Sequence, residues 1–424
     1  MKTGLETMAV SILAMPALIL FVGVLSAKVS RWLNVPDIVV YLLAGVLIGP
    51  AVLNIASLET YSVANQFILT FGAAFILYDG GREIKLRVLN EIKVTVILLA
   101  TLGIAISAGI VGIVAVKVFH VSALYGFLIG AVIASTDPAA LVPIFQKIKI
   151  VERVKQTVIS ESAFNDAAGA ILVLALISMV QSGTIEIGTN AVELVRMIAF
   201  GIISGTVVGL LFSISVSEGK YGLFTEFAPI VSIIAVLISY AFAEILGGSG
   251  YMSTFITGLI CGNKKTFKLW VPTDDFEVQK HVRETVTTIM KISIFILLGM
   301  HIDFVSLKLF WKESLLIVVT LIFVARPLTV LVCTKLDRKM KWQKNEILFM
   351  MWVRETGVIP AALSGVIMGA HLPHADIISA VVFMTILITL LFQATTTKLW
   401  AKKLHLIEVE KECVKCAVLD PSHQ

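Results

Sequence analysis

The chain has 424 residues, of which 58% are hydrophobic and only 15% charged, with a mean hydropathy of +0.94 and a formal net charge of +5. A soluble domain carries about 25% charged residues, so this composition excludes a soluble enzyme or a nucleic-acid-binding module. It calls for a polytopic membrane protein.

Apolar stretches long enough to approach the roughly 30 Å hydrocarbon core predict thirteen helices. They lie near 7–27, 36–50, 64–80, 93–118, 122–145, 157–181, 190–216, 226–245, 247–262, 284–303, 313–335, 345–370 and 375–398. The first has no cleavage site behind it and is expected to stay in the mature chain. The basic residues gather in alternate loops: Arg82/Lys85/Arg87, Lys147/Lys149/Arg153/Lys155, Lys264/Lys265/Lys268 and Arg338/Lys339/Lys341/Lys344. Lys and Arg accumulate on the cytoplasmic side, so the amino terminus is expected outside and the carboxy terminus in the cytoplasm of a cell-membrane protein. Asp79 and Arg82, at the end of the third span, are expected to face solvent. Residues 1–404 read as one transmembrane domain, and 405–424 as a short cytoplasmic tail. Cys413 and Cys416 in that tail form a single CxxC read as free thiols, and Cys261 and Cys333 lie at helix ends, so no disulfide framework is expected.

The chain repeats itself in order. LAGVLIGP at 43–50 matches ITGLICGN at 256–263, FILYDGGREIKLRVL at 75–89 matches FILLGMHIDFVSL at 295–307, and DPAALVP at 137–143 matches IPAALSG at 359–365. The offsets are 213, 220 and 222 residues. Two six-helix units, about 7–181 and 226–398, are therefore expected around a linker helix at about 190–216. The first unit starts outside and the second inside, so the copies are inverted. Inverted repeats are the architecture of transporters that alternate access around a midplane site.

The fifth and twelfth predicted helices correspond in this repeat, and both are interrupted. Pro138 follows Ser135, Thr136 and Asp137, while Thr356, Gly357 and Pro360 sit in WVRETGVIPAAL. Proline removes a backbone donor and disfavours helix just before it. Freed backbone groups at membrane depth are tolerated only where they are buried or line a cavity. Two crossed, discontinuous helices are expected, with the Asp137 carboxylate facing the positive amino-terminal end of the partner half-helix.

The sixth helix adds Glu161, Ser162, Asn165 and Asp166 along one face. An ionised side chain in the bilayer costs roughly 2.5 to 3.5 kcal/mol even on a lenient scale, so Asp137 and Asp166 mark an ion or proton path. Hard oxygen donors suit alkali cations or protons and offer nothing to a transition metal. Glu161 needs a buried cation: Arg326 is the leading partner, and Arg354 the second.

These residues resemble a known family. PDIVVYLLAGVLIGP at 36–50, STDP at 135–138, ESAFND at 161–166 and ARPL at 325–328 are similar to the monovalent cation:proton antiporters, and within them to the prokaryotic NhaP-type sodium/proton antiporters. The resemblance implies that Asp166 binds the ion or proton, with Asp137, Ser162 and the backbone carbonyl of Thr136 completing a shell for Na+ or Li+. It implies a Glu161, Asn165 and Arg326 network around the unwound region, and a homodimer in which a six-helix bundle moves against an interface domain. In related electrogenic antiporters an aspartate stands at the position of Asn165 and a lysine at that of Arg326, so exchange here is expected to be electroneutral. No cofactor, covalent chemistry or nucleic acid is expected. The alternatives are potassium/proton exchange, or a cation channel or sensor on the same fold.

Overall fold

The computed structural model describes residues 4–407 apart from 34, 56–61, 138–140, 142–144, 146–147, 149, 183–186, 218–221 and 264–272. Pro138, the loop lysines 147, 149, 264, 265 and 268, and the tail cysteines 413 and 416 thus lie outside the described residues. The described residues are mainly helical, with one isolated β-bridge between Ile150 and Ile407.

Helix follows the apolar stretches. In chain order these are α1 (Gly4–Leu33), α2 (Asp37–Ile48), α3 (Val63–Glu83), α4 (Leu86–Ala100), α5 (Leu102–Phe119), α6 (Ala123–Ala134), α7 (Glu152–Ser182), α8 (Ile187–Ser215), α9 (Ala228–Ile245) and α10 (Gly250–Gly262). Then come α11 (Thr273–Met300), α12 (Phe304–Leu309), α13 (Trp311–Thr320), α14 (Arg326–Leu336), α15 (Lys344–Trp352), α16 (Val358–Gly369), α17 (Ala375–Ile388) and α18 (Thr395–Lys403). One turn of π-helix, Leu321–Ala325, joins α13 to α14, and another, Thr389–Ala394, joins α17 to α18.

Among the described residues, seven helical runs are individually long and apolar enough to cross a membrane: Leu13–Leu33, Leu89–Phe119, Glu152–Gln181, Val192–Ser215, Thr225–Ile245, Trp311–Leu336 and Ala375–Lys403. By contrast α2, α6 and α16 are apolar but have only 12 residues each. At 1.5 Å per residue each covers about 18 Å, well short of a bilayer core. The outward faces carry large apolar side chains such as Phe21, Trp32, Ile203, Leu211, Ile234, Leu316 and Phe323. A hydrocarbon environment accommodates such faces, whereas water does not.

The helices pack as two groups. One contains α4, α5, α6 and α7 with α13 to α18, in which α5 packs on α6, α4 on α7, and α13 and α14 on α5. The other contains α1, α2, α3, α8, α9, α10 and α11, in which α10 packs on α3 and α8, and α11 on α2. The α3–α10 contact is close because α10 presents Gly258 and Gly262. A methyl group there would lie 2.0 Å from the Tyr78 carbonyl oxygen and 2.3 Å from that of Arg82. Small residues spaced by four let membrane helices gain dispersion contacts along their backbones.

One expectation at this contact fails. Arg82 is buried, donating to the Tyr78 hydroxyl at 3.0 Å and to the Gln279 side-chain oxygen at 3.1 Å. Asp79 is paired with Arg283 at 2.7 Å and accepts from Thr287 at 2.8 Å. The sequence places both at a helix end, but α11 begins at Thr273, well before its apolar segment, and its first turns cover that end of α3.

The groups meet where α3 and α11 contact α16, and where α10 contacts α7. Of the interrupted helices, α16 lies at this boundary, and α6 packs against it from within the first group.

Candidate functional site

The site begins with two chain breaks that satisfy each other. Helix α6 stops at Ala134 and the chain runs extended through Ser135. Helix α15 stops at Trp352, and helical structure resumes only at Val358. Where the breaks cross, the Asp137 backbone N–H donates to the Glu355 carbonyl at 2.8 Å. The Val358 N–H, first in α16, donates to Asp137 Oδ2 at 3.0 Å. The carboxylate thus caps an orphaned helix amino terminus, where a negative charge is favoured by both the free N–H and the helix dipole. This is the pairing anticipated from the two interruptions.

Gly357 makes the approach possible. A Cβ at this position would lie 2.0 Å from Asp137 Oδ2 and 2.2 Å from its Cβ. Pro360 does not cause the break, as the sequence suggested. It occupies the first turn of α16, where its missing N–H would have had no intrahelical partner.

Helix α7 holds the broken end of α6. Asn165 accepts the Thr136 N–H at 3.1 Å and donates to the Thr136 hydroxyl at 2.7 Å, while the Ser162 hydroxyl donates to the Thr136 carbonyl at 2.5 Å. Ser135 donates its hydroxyl to Asp166 Oδ1. Three consecutive unwound residues therefore meet either α7 or the start of α16, and all the side chains involved are buried.

A second layer fixes the other break. Arg326 holds both oxygens of Glu161, with Nη2 to Oε2 at 3.0 Å, and also donates to the carbonyls of Met350 at 2.9 Å and Val353 at 3.2 Å. The π-helical turn ends immediately before Arg326, and such turns shift side-chain direction and recur at functional sites. The second π-turn supplies Thr389, which accepts the Thr356 N–H at 3.2 Å, and Gln393, which donates to the Trp352 carbonyl at 2.6 Å.

Two roles differ from expectation. Arg354 does not hydrogen-bond Glu161. It donates to the Ile133 and Ala134 carbonyls at 2.9 and 2.7 Å, placing a cation at the negative carboxyl end of α6. Asn165 bonds Thr136 rather than the Glu161–Arg326 pair. The sequence marks Ser135 only as a polar neighbour of the break, and Glu355 is not among the expected site residues, although an acid inside WVRETGVIP is itself a signal.

The arrangement encloses a cavity of about 10 Å³, lined by Thr136, Asp137, Glu161, Ser162, Arg326 and Glu355 among others. That is room for about one water-sized sphere. Its walls carry carboxylate and hydroxyl oxygens of the kind that suit a hard cation, beside the guanidinium groups of Arg326 and Arg354. Asp166 is not part of this lining; it stands beyond the unwound segment, against Ser135.

The sequence and fold have known counterparts. A family model described as sodium/hydrogen exchanger, transmembrane, matches residues 17–403. The K(+)/H(+) antiporter NhaP2 of Shewanella oneidensis is 29% identical over 388 residues, which cover 90% of this chain but 64% of the relative, so the chain spans less than two thirds of that protein's length. The probable Na(+)/H(+) antiporter 2 of Methanocaldococcus jannaschii is 28% identical over 411 residues, covering 90% of this chain and 93% of the relative. The solved structure of the sodium proton antiporter MjNhaP1 from Methanocaldococcus jannaschii at pH 8 has a TM-score of 0.82 at 25% identity, covering 94% of this chain and 99% of that one.

Proposed function

The chain belongs to the family of transmembrane sodium/hydrogen exchangers, and from that premise we propose that it is a secondary-active antiporter exchanging Na+ or Li+ for H+. One observation carries this reading: Asp137 and Ser162 border a small cavity at the crossing of two broken helices, with Asp166 beside the same unwound segment. Asp137, Ser162 and the Thr136 carbonyl supply the cation shell from the cavity wall, and Asp166 completes it from beside Ser135, across the unwound segment. The Ser162–Thr136 hydrogen bond is compatible with that role, because a hydroxyl that donates keeps its lone pairs and a carbonyl oxygen has two.

Transport follows from competition. A cation and a proton neutralise the same carboxylates and exclude each other. An empty ionised site carries charge that is costly to move through a low-dielectric barrier, so the bundle moves only when loaded. The moving unit is the group α4 to α7 with α13 to α18, and the other group is the scaffold through which two copies form a homodimer. The two halves are inverted repeats, the amino terminus lies outside, and the tail from 405 is cytoplasmic. Neither a resident cofactor nor a covalent step is involved.

Purified protein in proteoliposomes, with internal pH followed while sodium, lithium or potassium is added in turn, tests the proposal. Alkalinisation or acidification opposite to the imposed sodium or lithium gradient supports it. Exchange with potassium alone supports the potassium/proton reading that the Shewanella relative's name suggests. Cation flux without obligatory proton movement would instead identify a channel.

A further inference from the structure

We infer that Glu355 is a further ligand of the transported cation, contributed by the second broken helix to the cavity that Asp137 faces. This deepens the antiport reading and rests on it. Glu355 is 1% exposed, and neither of its carboxylate oxygens has a hydrogen-bond partner in another described residue. Its backbone is fixed at the crossing, because its carbonyl accepts the Asp137 N–H. Its side chain lines the same small cavity as Asp137, Thr136 and Ser162.

The guanidinium groups of Arg326 and Arg354 border the same cavity, but neither donates a hydrogen bond to the Glu355 carboxylate. Arg326 spends its donors on Glu161, Met350 and Val353, and the bonds of Arg354 run to the carboxyl end of α6. Among the four buried acids at the crossing, Glu161 is bound by Arg326, Asp166 accepts from Ser135 and Asp137 accepts from Val358, which leaves Glu355 without a donor from another described residue. A buried carboxylate with no donor is costly, and such a group needs a reason. A dehydrated monovalent cation in the cavity supplies one. It would be held by oxygens from both interrupted helices, so that the ion itself bridges the crossing.

The experiment compares wild type, Glu355→Gln and Glu355→Asp in proteoliposomes, measuring the sodium KM and the maximal rate separately. Thermal unfolding of the purified proteins in sodium chloride against choline chloride provides a readout independent of turnover. Wild-type exchange is the control: its absence would sink the antiport reading itself, whatever Glu355 does. Given exchange, Glu355→Gln should raise the sodium KM by about tenfold or more, because an amide attracts a cation far less than a carboxylate in a desolvated cavity. Glu355→Asp should recover part of that loss, and sodium should protect wild type against unfolding more than Glu355→Gln. An unchanged sodium KM together with undiminished sodium protection in Glu355→Gln overturns the assignment, and a fall in maximal rate alone would mark a positioning role instead.

Discussion

The carboxylate of Asp137 accepts the first backbone N–H of α16, from Val358, at 3.0 Å. A residue at the end of one broken helix thus terminates the start of the other, while lining the cavity between them. Charge at Asp137 serves both the fold of the crossing and the proposed ion site, and substitutions can separate the two roles.

Asp137→Asn keeps an oxygen that can accept the Val358 N–H but removes the charge that offsets cation dehydration. Asp166→Asn likewise keeps an acceptor for Ser135. Both proteins should insert and purify as folded species, with exchange abolished. Cation-driven proton flux in proteoliposomes, beside size-exclusion profiles, checks this. Full flux in folded Asp166→Asn protein would remove that residue from the site.

Arg326→Ala should both destabilise the protein and stop transport. The change leaves Glu161 buried without its partner, at a cost on the order of 3 to 5 kcal/mol, and frees the carbonyls of Met350 and Val353. Adding Glu161→Gln should restore part of the melting temperature, so the double mutant loses less than the sum of the single ones. Additive losses would show that the pair is not the source of the effect.

Much of this site is legible in the sequence because buried charge in an apolar chain has few explanations. STDP, ESAFND and Arg326 stand out against their surroundings, and proline and glycine mark the breaks. The partner assignments are less legible. Sequence spacing puts Asn165 one helical turn from Glu161, yet its amide is drawn to Thr136, whose N–H and hydroxyl become available only when α6 unwinds. Arg354 is equally ambiguous in one dimension. The carbonyls it binds, those of Ile133 and Ala134, lie 220 or more residues away and are exposed only by that same unwinding. Arg82 shows the converse, since a residue at a predicted helix end is buried once α11 covers it.

Gly357→Ala should disrupt the crossing through sterics alone. The new methyl would overlap Asp137, whose atoms are held in place by bonds to Val358 and Glu355. Overpacking of this kind costs about 1 to 3 kcal/mol. Exchange should fall sharply, with a measurable drop in melting temperature. Wild-type activity in Gly357→Ala would show that the close approach is not needed for transport.

Exchange should be electroneutral. Asn165 has no ionisable proton, and arginine, unlike lysine, is not a side chain that proteins deprotonate. Each is also committed, to Thr136 and to Glu161 respectively. Imposing a membrane potential with potassium and valinomycin, at fixed pH and sodium gradients, should leave the endpoint unchanged. A potential-dependent endpoint would reveal a second titrating group, with Glu355 at the cavity wall the candidate.

The competition between cation and proton for one set of carboxylates is tested most directly by the sodium KM as a function of pH. Rates are measured in proteoliposomes of wild-type protein, with equal pH on both sides at the start of each run. The KM should rise in proportion to proton concentration once the site begins to protonate, while the maximal rate at saturating sodium is preserved. A sodium KM that stays constant as the pH falls, with only the maximal rate declining, would contradict it, because proton and cation would then occupy separate sites.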